Sequence, residues 1–233
     1  MLSRLTIDQR REQLVDCALR IAEDSGLAAV TVRGVADAAG VSLGIVHYCF
    51  AGKDELMAAV VGTAMTRHLD AFVSGNPLIA GTSDGTAARA GREALHAAVS
   101  GTVVSVLALT RESPGRWMVL VESVVESLRS PAGSAARANT RHQHELAELY
   151  GARFLATVGE RTGMHWQGRE RDVVRCAVQT IYGVFQWWLV DRDDEAAARS
   201  CELLVDWAVA LAVPGDPVAP DGRTVAAGDI RSP

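Results

Sequence analysis

Residues 142–148 place His142, His144, Glu145 and Glu148 close together, and these are residue types that bind metals or move protons. On a helix, positions i and i+2 point in different directions, so His142 and His144 poorly share one ion. His144 and Glu148 share a face, but two ligands do not define a metal site. Serine, histidine and aspartate occur without a nucleophile elbow, and no glycine-rich phosphate loop follows a strand. The sequence therefore predicts no enzyme, no metal and no cofactor. Cys17, Cys49, Cys176 and Cys201 are widely spaced with no CxxC pair, which predicts reduced thiols in a cytoplasmic protein.

The chemistry that remains is recognition, and it concentrates in residues 31–57, TVRGVADAAGVSLGIVHYCFAGKDELM. Thr31 is a good N-cap for a helix starting at Val32. Val32, Val35, Ala36 and Ala39 repeat at helical spacing and form an apolar face. Gly40 falls where the chain must turn sharply, because glycine alone takes positive φ cheaply. Val41 plugs the joint, and Ser42 is placed to cap a second helix from Leu43 to about Phe50. Ile45, Val46 and Phe50 are available to pack inward, leaving Leu43, Gly44, His47 and Tyr48 on the outer face. A surface of small, polar and aromatic groups suits a helix lying in a DNA major groove.

Residues 8–60 resemble the DNA-binding domain of the tetracycline-repressor (TetR) family. The resemblance rests on a first helix, the helix-turn-helix, the aromatic-rich end His47-Tyr48-Cys49-Phe50, the gap Ala51-Gly52, and Lys53 before Asp54-Glu55-Leu56. Two residues depart from the family pattern: Cys49 stands where Tyr or His is frequent, and His47 where Tyr is most frequent. The resemblance implies an all-α protein with a three-helix DNA-binding domain over 1–53 and a helical ligand-binding and dimerisation domain over 54–212. It implies that Tyr48 and Lys53 meet phosphate and that Thr31 reaches phosphate through its hydroxyl or the helix N-terminus. Arg33 matches a position used for base contact in some members, and a bidentate arginine to guanine contributes about 1–3 kcal/mol of discrimination. Leu43 and Gly44 enter the groove first, His47 contacts a base or a phosphate, and Ser42 completes the set. Arg4, Arg10 and Arg11 are candidates for an arm adding nonspecific affinity.

Composition agrees with a two-part helical protein. The chain has 233 residues, 48% of them hydrophobic. No apolar run reaches about 18 residues without a charge, so no transmembrane helix is expected, and the N-terminus has no signal-peptide core. The net charge is −5, but residues 1–53 carry six Arg and Lys against six Asp and Glu, so the excess acid lies downstream. Charge alone would not suggest nucleic acid.

Periodicity and breakers predict a first helix from about Ile7 to Asp24 stopped by Gly26, and a fourth from Asp54 to about Val73. Further helices are expected near 87–110, 115–129, 132–162, 168–190 and 194–212, with a loop over 74–86 and no strand. The tail 213–233 reads as disordered. Val178, Ile181, Tyr182, Phe185, Trp187, Trp188 and Leu189 make helix 168–190 apolar around much of its circumference, so it must be covered on several sides. The resemblance implies that this helix and 194–212 pair with their copies in a homodimer. Two reading heads related by a two-fold axis then read a near-palindromic duplex.

The resemblance also implies a small-molecule effector, bound among the helices near 87–190. Trp117, Met118, Trp166, Tyr182, Phe185 and Trp187 are candidate lining groups, with His96 and His142 as polar ones; ordinary core packing is the competing reading of each aromatic. A mainly apolar pocket favours a hydrophobic or amphipathic ligand. The expected function is thus a homodimeric repressor released by such a ligand. The alternative is a ligand-binding helical module that does not bind DNA.

Overall fold

The structure is a computed structural model and describes residues 5–74 and 91–215. It is all-α apart from one short bridge. In chain order the elements are α1 (Ile7–Ser25), a 3-10 turn (Leu27–Ala29), α2 (Val32–Ala39), α3 (Leu43–Cys49), α4 (Lys53–Ser74), α5 (Arg92–Glu112), α6 (Pro114–Arg129), α7 (Ala135–Thr162), β1 (Met164–His165), α8 (Glu170–Asp191), α9 (Asp194–Ala210) and β2 (Val213–Pro214). Ser74, expected to open a loop over 74–86, ends α4; residues 75–86, the tail beyond 215 and Arg4 lie outside the described residues.

Caps explain most boundaries. Thr6 and Gln9 form a reciprocal capping box at the start of α1: the Thr6 hydroxyl accepts from Gln9 N–H at 3.2 Å, and Gln9 Oε1 accepts from Thr6 N–H at 2.9 Å. Asp193 caps α9 by accepting from Ala196 N–H at 2.8 Å. Pro114 opens α6 at a position where its missing N–H has no helical partner to lose.

The described residues divide into two compact units. The first comprises 5–68 and 111–144; the second comprises 69–74, 91–110 and 145–215. The division does not fall at residue 53. The first turns of α4, all of α6 and the start of α7 group with the N-terminal helices. The physical reason is a set of polar ties from α6 to the end of α1. Glu122 accepts the Leu27 N–H at 2.6 Å, and Arg116 Nε lies 2.9 Å from Glu23 Oε1.

The core of the second unit gathers Leu95, Val99 and Val103 of α5, Phe154 and Val158 of α7, Val173 and Val174 of α8, and Val205 and Val209 of α9 around the ring of Trp166. Trp166 is 1% exposed and its indole N–H donates to the Ala208 carbonyl at 2.7 Å. By length and composition alone α5 could cross a membrane. Its Leu95, Val99 and Val103 instead lie within this core.

The expectation of no strand is corrected by one antiparallel bridge, with Met164 opposite Pro214 and His165 opposite Val213. A two-residue bridge carries no alternating pattern to read. It also pins the start of the predicted tail: Gly215 N–H donates to the Gly163 carbonyl at 3.2 Å. Arg92 reinforces this corner by donating to the carbonyls of Val209 and Ala212.

Candidate nucleic-acid interface

The reading helix is built by a sharp turn. Gly40 stands in the left-handed region at φ +66°, and the Val41 N–H closes the turn on the Ala36 carbonyl at 3.0 Å. A β-carbon at Gly40 meets nothing within 4 Å, so the position needs glycine for its backbone angle and not for space. Val35 and Ala36 of α2 and Val46 of α3 are at most 2% exposed and join the two helices to α1.

The two faces of α3 separate cleanly. Val46, Cys49 and the following Phe50 are 1%, 4% and 2% exposed, whereas Leu43 is 44% and Tyr48 77% exposed. Gly44 and His47 are exposed beside them. Leu43 and His47, and likewise Gly44 and Tyr48, stand four residues apart and share a side of the helix. Thr31, Arg33, Ser42 and Lys53 are exposed as well. The eight residues predicted to contact DNA from the helix-turn-helix and Lys53 therefore lie at the surface of α2, α3, their N-caps and the start of α4.

Thr31 caps α2 as expected, its hydroxyl oxygen accepting from Gly34 N–H at 2.9 Å. Its own hydroxyl hydrogen is free in that geometry to donate outward. Ser42 stands at the N-cap position of α3, but its hydroxyl makes no capping bond; its backbone carbonyl accepts from Ile45 N–H at 3.0 Å instead. That corrects the capping role read from the sequence and leaves the hydroxyl at the surface.

Sequence reasoning missed what holds this surface rigid. The Arg11 guanidinium donates to the Cys49 carbonyl and, at 2.7 Å, to Glu55 Oε1, and it stacks 4.3 Å from the centre of the Phe50 ring. Glu55 accepts a second bond through Oε2 from Ala51 N–H at 2.7 Å. The Ala51 bond, followed by Arg11, holds the Glu55 carboxyl below the usual carboxylate range. One arginine thus ties α1 to the end of α3 and the first turn of α4, between Tyr48 and Lys53. Arg11 is therefore no part of a loose arm. Arg10, expected in the same arm, bonds Gln13 on its own helix at 2.6 Å.

The predicted ligand-lining residues are divided between the two units. Trp117, Met118 and His142 belong to the first unit; Trp166, Tyr182, Phe185 and Trp187 belong to the second. Trp117 is 2% exposed and its ring lies 5.2 Å from that of His68, while Met118 is 38% exposed and His142 is at the surface. Burial first, and the Arg116 charge second, push His68 down to about 4, so its imidazole is neutral at pH 7. Trp166 and Phe185 are each 1% exposed, and Trp187 is 72% exposed. Burial pushes the Tyr182 hydroxyl up to about 12. His96 is exposed, with Nε2 3.2 Å from Asp206 Oδ1.

Exposed apolar side chains instead mark the outer side of the α8–α9 hairpin. Trp187 and Val190 of α8 are 72% and 79% exposed, and Leu203 and Trp207 of α9 are 71% and 38% exposed. Each pair sits three or four residues apart and shares a helix face. Cys17, Cys49 and Cys201 are buried, Cys176 is exposed, and none of the four forms a disulfide. Among the described residues no three His, Cys, Asp or Glu side chains converge to hold a metal.

Helices α1–α3 form a helix-turn-helix unit, and comparison with known proteins shows what it is similar to. Residues 14–60 match the model of the tetR family of bacterial regulatory proteins. Over 56 residues it is 43% identical to the HTH-type nicotine-responsive transcriptional repressor HdnoR of Paenarthrobacter nicotinovorans. That alignment covers 24% of this chain and 29% of HdnoR, so the likeness is confined to the reading head. The fold extends further. A TetR transcription regulator from Haloarcula marismortui superposes with a TM-score of 0.67 at 17% identity, covering 88% of this chain and 100% of that one. The multidrug binding protein EbrR in complex with proflavin superposes at 0.58 with 21% identity, covering 84% and 98%.

Proposed function

We propose that the chain is a sequence-specific DNA-binding transcriptional regulator, acting in the cytoplasm as a homodimeric repressor of a palindromic operator. The observation that carries this reading is the division of α3: a sealed inner face of Val46, Cys49 and Phe50, and an outer face whose Tyr48 is 77% exposed. A large aromatic left in water beside Gly44, His47 and Lys53 is what a helix needs to enter a major groove and meet phosphate at its end.

Tyr48 and Lys53 meet phosphate; Arg33 and His47 meet base edges; Leu43 and Gly44 come closest to the groove floor; Thr31 and Ser42 donate hydroxyl hydrogens to the backbone. The neutral balance of residues 1–53 supports short-range positioning over long-range attraction. The partner copy docks on Trp187, Val190, Leu203 and Trp207. An exposed apolar patch of that kind is unusual on a monomer and supports an interface between copies.

Release is by a small hydrophobic or amphipathic molecule. A ligand that favours badly spaced reading heads weakens DNA binding by its own coupling factor. The names of two similar proteins, a nicotine-responsive repressor and a multidrug binding protein, support an organic effector. A thermal-shift screen of such compounds identifies it; no shift across the screen counts against this part of the reading.

Selection of bound duplexes from a random pool at near-physiological salt tests the function, because nonspecific phosphate binding is suppressed there. A two-fold symmetric motif supports the regulator. Ligand binding without affinity for any duplex would make the chain a helical ligand-binding module instead.

A further inference from the structure

The first unit contains a cavity of about 230 Å³ between the first turns of α4, the second half of α6 and the start of α7. That is the volume of roughly eight waters, or of an organic molecule of about eight heavy atoms. Its lining includes two carboxylates, Asp54 and Glu126, and no Lys, Arg or His. Both carboxylates are exposed and stand at the mouth. Deeper in, Val61, Ser123 and Thr140 are buried.

The polar atoms of the floor are not all spent. Ser123 donates to the Leu120 carbonyl at 2.7 Å on its own helix. Thr140 is 8% exposed, lines the cavity, and its hydroxyl has no hydrogen-bond partner among the described residues. The hydroxyl is therefore open to a hydrogen bond from whatever fills the cavity. One turn further along the same face of α7, Gln143 is 3% exposed and its Nε2 also has no partner among the described residues.

A second depression, along α1, carries Glu12 and Asp16 but also Arg20 and Arg67, and Arg67 pairs with Asp16. Its acid is answered from within the chain. The lining of the α4–α6–α7 cavity offers its two carboxylates no such partner among the described residues.

We propose that this cavity binds a small protonated amine bearing one further hydrogen-bonding group. The ammonium sits at the mouth between Asp54 and Glu126, the apolar body lies on Met57 and Val61, and the second polar group bonds to Thr140. Asp54 follows Lys53 directly and precedes Glu55, so an occupant touches the turn of α4 that Arg11 anchors. The assignment does not depend on DNA binding, and it is tested without DNA.

The probes are trans-4-aminocyclohexanol, cyclohexylamine and 1,4-cyclohexanediol, titrated by calorimetry into the full chain at pH 7.5. The aminoalcohol binds saturably, about tenfold more tightly than the diol, which lacks the charge. It binds about threefold more tightly than cyclohexylamine, which lacks the hydroxyl. The double substitution Asp54→Asn, Glu126→Gln removes the first preference, and Thr140→Val removes the second. Ala135→Phe, at an exposed lining position, closes the mouth and abolishes binding by a chain whose thermal unfolding is unchanged. Absence of saturable binding, equal binding of diol and aminoalcohol, or preferences that survive these substitutions would overturn the proposal.

Discussion

The Glu122 carboxylate accepts the backbone N–H of Leu27 at 2.6 Å, across 95 residues of chain. That N–H starts the turn after α1 and has no helical partner of its own. Two neighbours tighten the joint. Arg116 pairs with Glu23, both side chains about a quarter exposed, and a β-carbon on Gly115 would fall 2.5 Å from the Glu23 carbonyl oxygen. Helix α6 therefore rests directly on the end of α1, in addition to the covalent link through α4.

Glu122→Ala leaves the Leu27 N–H without its acceptor and lowers stability by about 1–3 kcal/mol in urea unfolding. Glu122→Gln, which keeps an acceptor oxygen, retains most of that stability. Gly115→Ala is worse than either, because backbone must shift to clear the added methyl. A Gly115→Ala chain as stable as wild type would show that α6 does not press on α1.

Arg11 governs the reading head from outside it. Arg11→Ala frees the end of α3 and the start of α4 together, so duplex affinity falls by about tenfold or more while far-ultraviolet circular dichroism stays helical. Arg11→Lys does not rescue it, since a lysine cannot serve two acceptors in a fixed fork and stack on Phe50. Anisotropy titration with the selected duplex checks both.

His68 makes stability sensitive to acid. Its folded value of about 4 lies below the ordinary 6.5, so between those limits the unfolded chain binds more protons than the folded one. Its contribution is therefore fully present above pH 6.5 and is lost as pH falls toward 4; the full shift corresponds to roughly 3 kcal/mol. Glu55 acts in the same direction at lower pH, its stabilising contribution disappearing as pH falls through its depressed folded value. His68→Phe keeps an aromatic against Trp117 and flattens the melting temperature between pH 6.5 and 5. An unchanged slope would place the acid sensitivity elsewhere.

The exposed apolar pairs of α8 and α9 predict the oligomer. Leu203, 71% exposed, can be changed to Glu without disturbing the protomer core. Leu203→Glu halves the mass measured by light scattering and weakens duplex binding with it, because one reading head alone holds half of a two-fold site. A dimer that survives both Leu203→Glu and Trp187→Glu would move the interface to another surface.

The reading head was legible because its signals are local. Thr31, Gly40 and the Val35–Ala36 face sit within ten residues, and each acts through a cap, a turn or a helical period. The ends of the later helices were legible for the same reason: Pro114, Gly163 and Asp193 stop or start a helix wherever they stand. The joints were not. Arg11 reaches acceptors 38 and 44 residues away, and Glu122 reaches one 95 residues away. A surface arginine and a helical glutamate look the same whether or not such a partner exists. The exposure of the aromatics was not legible, because hydrophobicity alone does not separate a buried ring such as Trp166 from an exposed one such as Trp187.

The central claim is that α2, α3 and the start of α4 read DNA as a symmetric pair. The most direct measurement is duplex selection run in parallel on wild-type protein and on Arg33→Ala, both shown to be folded and dimeric. Wild type recovers a two-fold symmetric motif, and Arg33→Ala loses preference at one base pair in each half-site, symmetrically, worth about 1–3 kcal/mol per contact. Recovery of no motif, or of the same motif by both proteins, would contradict the account.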